Sequence, residues 1–246
     1  MNRKQKGENM ETEKIQVLDG RTMHDYRHEW KHEINAQDEA ILLQRLPKIM
    51  KLDPHAKDGT YFIRSLYFDT PYDTALKEKV NGVAIREKYR IRYYNDNTSY
   101  IVLEKKAKHN NMCLKESQTI TKEQVEKLIA GDFDWLKTSG IPLFVQLYFR
   151  MKTTGLRPKT IVDYTRYPFV YGPGNVRVTI DTKIRTGLAS TDFFNPNLAT
   201  ITAGDPVRIL EVKWDAFLPD IIKMAVGLDS RHAAAFSKYM ACRTYG

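Results

Sequence analysis

The 246-residue chain is poor in the features that mark several common protein classes. It has two cysteines, Cys113 and Cys242, far apart and without metal-type spacing. That argues against a disulfide framework or a zinc site and fits a reducing compartment. No run approaches the roughly 18 apolar residues of a membrane-spanning helix. The first twenty residues are polar and mixed in charge, with Lys4, Lys6, Glu8, Glu11, Glu13 and Lys14, and lack the apolar stretch of a secretory signal. A cytoplasmic protein without direct membrane insertion is therefore expected. A Gly-x-x-x-x-Gly-Lys-Ser/Thr loop is absent, which excludes a P-loop nucleotide site. There is no Pro/Gly/Ser-rich linker and no repeat of 20–50 residues. One domain over 23–246, preceded by a flexible tail over 1–22, is the simplest organisation. Acidic residues are in deficit, 30 against 39 Lys and Arg, so the net charge is +9. An anionic partner is expected, although sign alone does not separate nucleic acid, lipid and phosphate.

What the chain does have is a period of two. Eight segments alternate as strands do, at about 25–34, 60–69, 83–94, 98–107, 111–120, 158–169, 175–183 and 206–214. Asn95-Asp96-Asn97, His109-Asn110-Asn111 and Gly172-Pro173-Gly174-Asn175 supply turn chemistry between neighbours, so the pairing is expected to be antiparallel. Helices are predicted over 36–50, from Thr70-Pro71 to Gly82, over 121–130 (opened by a Thr121/Gln124 capping box), and over 142–152, 218–227 and 230–242. The fold class is α+β, with a large antiparallel sheet or barrel and flanking helices.

The informative feature is which face of each strand is charged. In 83–94, Arg86, Lys88, Arg90 and Arg92 alternate with Ile85, Glu87, Tyr89, Ile91 and Tyr93, which puts four cations on one face. A solvated strand face explains that pattern equally well when the strand is taken alone. Other segments repeat it. Glu104 shares a face with Lys106, Glu211 with Lys213, and Glu29 with Arg27, Lys31 and Glu33. Arg166 and Lys115 lie on two further strands, and Arg177, Thr179 and Asp181 share a face of another. Several basic strand faces turned into a closed, dry barrel would repel one another severely. A water-filled passage that takes an anion removes the difficulty. The interspersed glutamates then either neutralise the empty passage or hold a divalent metal against phosphate oxygens.

Ser65-Leu66-Tyr67-Phe68-Asp69-Thr70, Arg90-Ile91-Arg92-Tyr93, Leu103-Glu104-Lys105-Lys106, Arg177-Val178-Thr179-Ile180-Asp181, Leu210-Glu211-Val212-Lys213 and Phe236-Ser237-Lys238-Tyr239 occur in this order. The series resembles the VTC domain, the catalytic domain of vacuolar transporter chaperone polyphosphate polymerases, over about residues 24–240. That family belongs to the triphosphate tunnel metalloenzymes and is related to the CYTH proteins. The resemblance implies an eight-stranded antiparallel β-barrel, a triphosphate tunnel, that binds ATP, triphosphate or polyphosphate with Mn²⁺ or Mg²⁺. Residue by residue, it implies phosphate-binding or catalytic roles for Lys31, Arg90, Arg92, Lys106, Lys115, Arg166, Arg177 and Lys238, and a metal role for Glu211. Glu29, Glu104 and Asp181 are candidate helpers for the metal. Arg86, Lys88 and Lys213 join the phosphate-binding set on alternation alone. Two departures stand out. Ala235 occupies a position that is often basic in polymerase-type members. The opening strand has Glu-x-Lys rather than the Glu-x-Glu-x-Lys of CYTH-type triphosphatases, which favours polymer synthesis over hydrolysis. No membrane segment or SPX-like module is attached, so export of a product is expected to need a membrane-protein partner.

Competing motifs carry less. His28-Glu29-Trp30-Lys31-His32 matches His-Glu-x-x-His literally, and His24 continues the four-residue spacing. On the expected strand, however, the two imidazoles lie about 13 Å apart, too far to share a zinc. Tyr67, Tyr89, Tyr93 and Tyr94 interleave with basic residues as in single-stranded nucleic-acid binders, but aromatics in a β-rich chain more often pack. Nucleic acid is not the expected partner. The expected activity is transfer of the ATP γ-phosphate to a polyphosphate chain, with triphosphate hydrolysis or non-catalytic polyphosphate binding as alternatives.

Overall fold

A computed structural model describes residues 27–56, 58–109, 112–227 and 236–244. The expected tail, His24, Ala235, the Asn110-Asn111 turn and the first part of the last predicted helix lie outside the described residues, as does the Cys113 side chain.

Eight long strands follow the predicted segments closely. They are β1 (His28–Ile34), β3 (Tyr61–Asp69), β4 (Ile85–Tyr94), β5 (Asn97–His109), β6 (Met112–Ile120), β7 (Arg157–Tyr171), β8 (Val176–Thr186) and β10 (Arg208–Trp214). Two short strands that alternation did not show, β2 (Lys51–Leu52) and β9 (Ile201–Thr202), pair with β7 and β8. Every pairing is antiparallel, in the order β1-β10-β8-β7-β3-β4-β5-β6. Among the described residues β1 and β6 do not pair, so the curled sheet is not closed by a hydrogen-bonded seam. Lys106 of β5 nevertheless reaches Glu29 of β1 at 3.1 Å, which shows how far the sheet curls.

The turns follow from local chemistry. Asn95 and Asp96 link β4 to β5 with φ of 51° and 55°, the two-residue left-handed turn that matches strand twist. Between β7 and β8, Gly174 has φ 73°, and a Cβ there would lie 2.3 Å from the Phe217 carbonyl oxygen. Only glycine fits.

The helices are α1 (Ala36–Arg45), α2 (Thr74–Val80), α3 (Lys122–Ile129), α4 (Pro142–Thr154), α5 (Asp220–Val226) and α6 (Lys238–Thr244). The Thr121/Gln124 capping box forms as expected, and Asn35 with Asp38 makes a second one at α1. The predicted 36–50 helix stops at Arg45 because Pro47 tightens the next turn to 3₁₀.

The main apolar core lies outside the curl. Leu66, Phe68, Ile91, Leu103 and Ile161, on the convex face, pack against Val125, Leu128, Phe144 and Leu147 of α3 and α4. Farther round, Phe169, Val178, Ile180, Leu210 and Val212 pack against Leu42 of α1 and Ile222 of α5. Each such side chain contributes about 1.5–3 kcal/mol by leaving water. Helix α6 packs against the concave side, where Tyr239, Ala241 and Cys242 meet Tyr61, Ile63, Tyr67 and Tyr164. Val162, Ile184 and Ile209 join that cluster, and polar groups line the cavity beside it.

Candidate phosphate-binding tunnel

All eight long strands and α6 contribute side chains to one concave cavity of about 330 Å³. Eleven basic side chains but only three carboxylates line it. Ten of the basic groups were expected from strand alternation or from the family resemblance: Lys31, Lys88, Arg90, Arg92, Lys106, Lys115, Arg166, Arg177, Lys213 and Lys238. Arg27 is the eleventh. His28 and His32 sit on a strand, so the zinc-protease geometry does not form. His28 instead stacks on Trp214, with ring centroids 5.3 Å apart.

The charges are organised around buried carboxylates. Glu104 on β5 is the first centre, 3% exposed. It lies 2.6 Å from Arg90 Nε, 3.5 Å from Arg92 Nε and 2.5 Å from Lys115 Nζ. Burial pushes the Glu104 carboxyl upward, but Arg90, Arg92 and Lys115 outweigh it and hold the group far below the usual carboxylate range. Asp181 on β8 is the second centre. Arg166 Nε and Nη2 donate to it at 2.6 and 2.8 Å, and Lys238 Nζ lies at 2.5 Å. Against the effect of burial, Arg166 and then Lys238 draw its carboxyl down to about 2.

The third centre is a carboxylate pair. Glu211 on β10 takes Lys213 at 2.5 Å, with Lys31 and Arg166 both at 3.9 Å. Glu29 on β1 takes Lys31 and Lys106, each at 3.1 Å. Burial lowers the Lys31 ammonium's affinity for its proton, but Glu211 and Glu29 more than reverse this and raise it above the ordinary lysine value. Lys213 moves the other way, because burial outweighs the pull of Glu211. The cations therefore remain in place without a ligand, yet several donors are unused. Arg92 Nε and Arg177 Nε are buried and make no hydrogen bond.

Sequence reasoning missed several tunnel residues. Tyr164 lies under two cations, with Lys238 Nζ 4.7 Å and Arg166 5.5 Å from its ring centroid, and its hydroxyl accepts from Arg92 at 3.1 Å. It lies two residues before Arg166, so the same alternation could have found it. Tyr61 also lines the wall. Asp53, which holds Arg177 at 3.0 Å, comes from the segment after β2 and left no periodic signal. The four tyrosines weighed as base-stacking groups divide: Tyr67 and Tyr94 face the tunnel, whereas Tyr89 and Tyr93 belong to the convex core. Arg86 lines an adjoining cavity of about 420 Å³ with Lys79 and Lys108. Glu29, Lys31, Lys88, Lys106, Phe236 and Ser237 border both spaces.

The four carboxylates differ in how they could serve a metal. Among the described residues no group of three or more His, Cys, Asp or Glu side chains forms a ready cage. Glu104 and Asp181 are each surrounded by cations. Glu29 and Glu211 share Lys31, whose ammonium lies 3.1 Å from the buried Glu29 Oε1. Two carboxylates completed by phosphate oxygens suit Mg²⁺ or Mn²⁺, which commonly bind through one or two carboxylates plus substrate phosphate. Glu29 and Glu211 fit that donor set.

Among the described residues, no helix is long and apolar enough to cross a membrane. No curated protein matches the chain detectably in sequence. Among solved structures, a presumed adenylate cyclase from Bacillus halodurans superposes with a TM-score of 0.48 at 14% identity, covering 77% of this chain and 80% of the other. The PH1819 protein of Pyrococcus horikoshii gives 0.41 at 14% identity, with 82% and 84% covered. The PH1012 protein of the same organism gives 0.44 at 12%, with 83% and 92% covered. The sequence pattern of the VTC domain matches residues 26–245, a span that includes every tunnel residue named above. The tunnel is a site of the kind that takes nucleoside triphosphates or polyphosphate, and the chain belongs to the VTC domain family.

Proposed function

We propose that the protein is a metal-dependent phosphotransferase that moves the γ-phosphoryl group of ATP onto the end of a polyphosphate chain lying in the tunnel. The observation that carries this reading is the excess of eleven basic over three acidic side chains around one concave cavity. Phosphoryl transfer asks little covalent help of a protein. It asks for alignment of donor and acceptor and for positive charge around the oxygens. Arg90, Arg92 and Arg166 offer rigid forks to phosphate oxygens, and Lys31, Lys106 and Lys238 offer compact charges. The acceptor is a terminal phosphate oxygen that is already anionic, so no side chain need remove a proton from it. The P–O bond to ADP breaks as the bond to the acceptor oxygen forms, and ADP carries away the electron pair. A divalent ion, held by Glu211 and Glu29 when bound, offsets charge between donor and acceptor phosphates.

The test is incubation of the purified protein with ATP and Mn²⁺ while ADP, free phosphate and long-chain polyphosphate are followed together. Polymer formed in step with ADP is the expected result. Free phosphate released from triphosphate without polymer would replace this reading with hydrolysis. Salt-sensitive binding without turnover would make the tunnel a sensor.

A further inference from the structure

Lys88 stands apart from the other tunnel cations. The remaining lysines and arginines of the three ion clusters each have a carboxylate within 4 Å. Among the described residues Lys88 has no ion pair. Its cross-strand neighbour on β5 is another cation, Lys106. The polar group it faces is the Tyr67 phenol on β3, with Lys88 Nζ 5.7 Å from the ring centroid. Tyr67 has an equally unusual setting. It is 2% exposed, and its hydroxyl accepts from Arg90 Nη1 at 2.9 Å. From β4, Lys88, Arg90 and Arg92 face it. From α6 comes Tyr239, stacked at 5.2 Å, whose own hydroxyl is committed to Asp69. On β7 its strand partner is the uncharged Thr160. Lys31 of β1 and Lys106 of β5 line the same cavity as Lys88. Among the described residues no carboxylate pairs with Lys88 or Tyr67, and Glu104 is already shared by Arg90, Arg92 and Lys115.

We infer that Tyr67 is the ionised counter-group of this corner in the ligand-free tunnel, and that a phosphate of the bound chain takes over that role while Tyr67 regains its proton from solvent. This rests on the reading of the tunnel as a phosphate site. The direction of titration agrees with the geometry. Burial alone would raise the Tyr67 phenol, but Arg90, Lys88 and Arg92 reverse that and bring it down to about 7. Burial likewise brings Lys88 to about 7, with Lys106, Arg90 and Lys31 adding to the fall and Tyr67 opposing it. The two groups titrate together near neutral pH, so above it the pair is one to two protons short of phenol plus ammonium. An entering phosphate supplies negative charge beside Lys88, which favours the ammonium there and removes the reason for a phenolate. The phenolate oxygen gains one proton, no bond to phosphorus changes, and the new O–H can donate to a phosphate oxygen. Tyr67 thereby acts as a placeholder anion that makes way for substrate.

The experiment is a near-ultraviolet titration of the metal-free protein, reading the tyrosinate band, with and without saturating tripolyphosphate. Near pH ~8 one tyrosinate among the 14 tyrosines is expected, long before the ordinary phenols ionise near pH ~10. Tripolyphosphate should abolish it, and calorimetry in buffers of different ionisation heat should show uptake of one proton by Tyr67 and up to a second by Lys88 at that pH. Tyr67→Phe should lack the band. Lys88→Gln, which keeps the phenol but removes a neighbouring cation, should move its appearance to higher pH. A missing band, a band that survives Tyr67→Phe, or a band that persists at saturation would each overturn the inference while leaving the tunnel a phosphate site. Failure of tripolyphosphate to bind at all would overturn both.

Discussion

Replacing Glu104 by glutamine removes the one negative charge shared by Arg90, Arg92 and Lys115 while preserving shape. Loss of one partner from a fully buried ion pair costs about 3–5 kcal/mol. Here the Lys115 side chain is 55% exposed, so solvent screens part of the repulsion and about 2–3 kcal/mol is expected. In a domain of this size each kcal/mol shifts the melting temperature by about 2–4 °C, so Glu104→Gln should melt about 4–12 °C below the wild type. The informative part is the response to ligand. Tripolyphosphate supplies the missing negative charge, so it should bind the variant more tightly than it binds the wild type and close much of the gap in melting temperature. Ligand at about 100 times its dissociation constant stabilises by about 2.7 kcal/mol, comparable to the loss. Thermal melts of both proteins, metal-free, across a tripolyphosphate series provide the measurement. If Glu104→Gln melts with the wild type, or if tripolyphosphate stabilises it less, the carboxylate is not the counter-ion of an anion site.

Three further outcomes follow from the geometry. Arg92→Ala should lower tripolyphosphate affinity about 10–100-fold, the cost of about 1.5–3 kcal/mol for charged hydrogen bonds, without unfolding the domain; calorimetry and circular dichroism read the two parts. Asp69→Ala should destabilise by about 3 kcal/mol, because this buried carboxylate accepts from the Ala75 and Leu76 amides at 2.9 and 3.2 Å and from the Tyr239 hydroxyl, and denaturant unfolding measures the loss. Stability should also fall as the solution is acidified. Asp181 titrates at about 2 in the folded chain and near 3.9 when unfolded, so its contribution is complete above about pH 4 and disappears as pH falls through about 2. Unfolding free energies that rise on acidification through that window would contradict the assignment of Asp181 as an ion-paired carboxylate.

Much of this architecture could be read from alternation. The side chains of Arg86, Lys88, Arg90 and Arg92 were expected on one face, and all four line one or the other of the two adjoining cavities. The strand bounds held to within a few residues because period-two burial and turn residues such as Asn95 and Asp96 agree on where strands end. Other parts were hidden for physical reasons. Strand β2 has only two residues, too few for any period, yet it leads to Asp53 and so to the partner of Arg177. The counter-ion pattern was also unreadable in advance. Whether Glu104 serves a metal or neutralises arginines depends on which cations the curl brings to it, and that is set by register across β4, β5 and β6. The tyrosines on the concave face looked like packing residues because, in sequence, a phenol that accepts from arginine is indistinguishable from one buried in a core.

The placement of the greasy layers on the convex side has an evolutionary consequence. In most barrels, inward-pointing side chains are the core, so altering them trades recognition against folding. Here α1, α3, α4 and α5 secure the sheet from behind. The lumen is thereby released from much of its duty to hold the protein together. Its cations and countercharges can be exchanged, thinned or reversed in sign to suit a new guest, while the scaffold that presents them stays as it was.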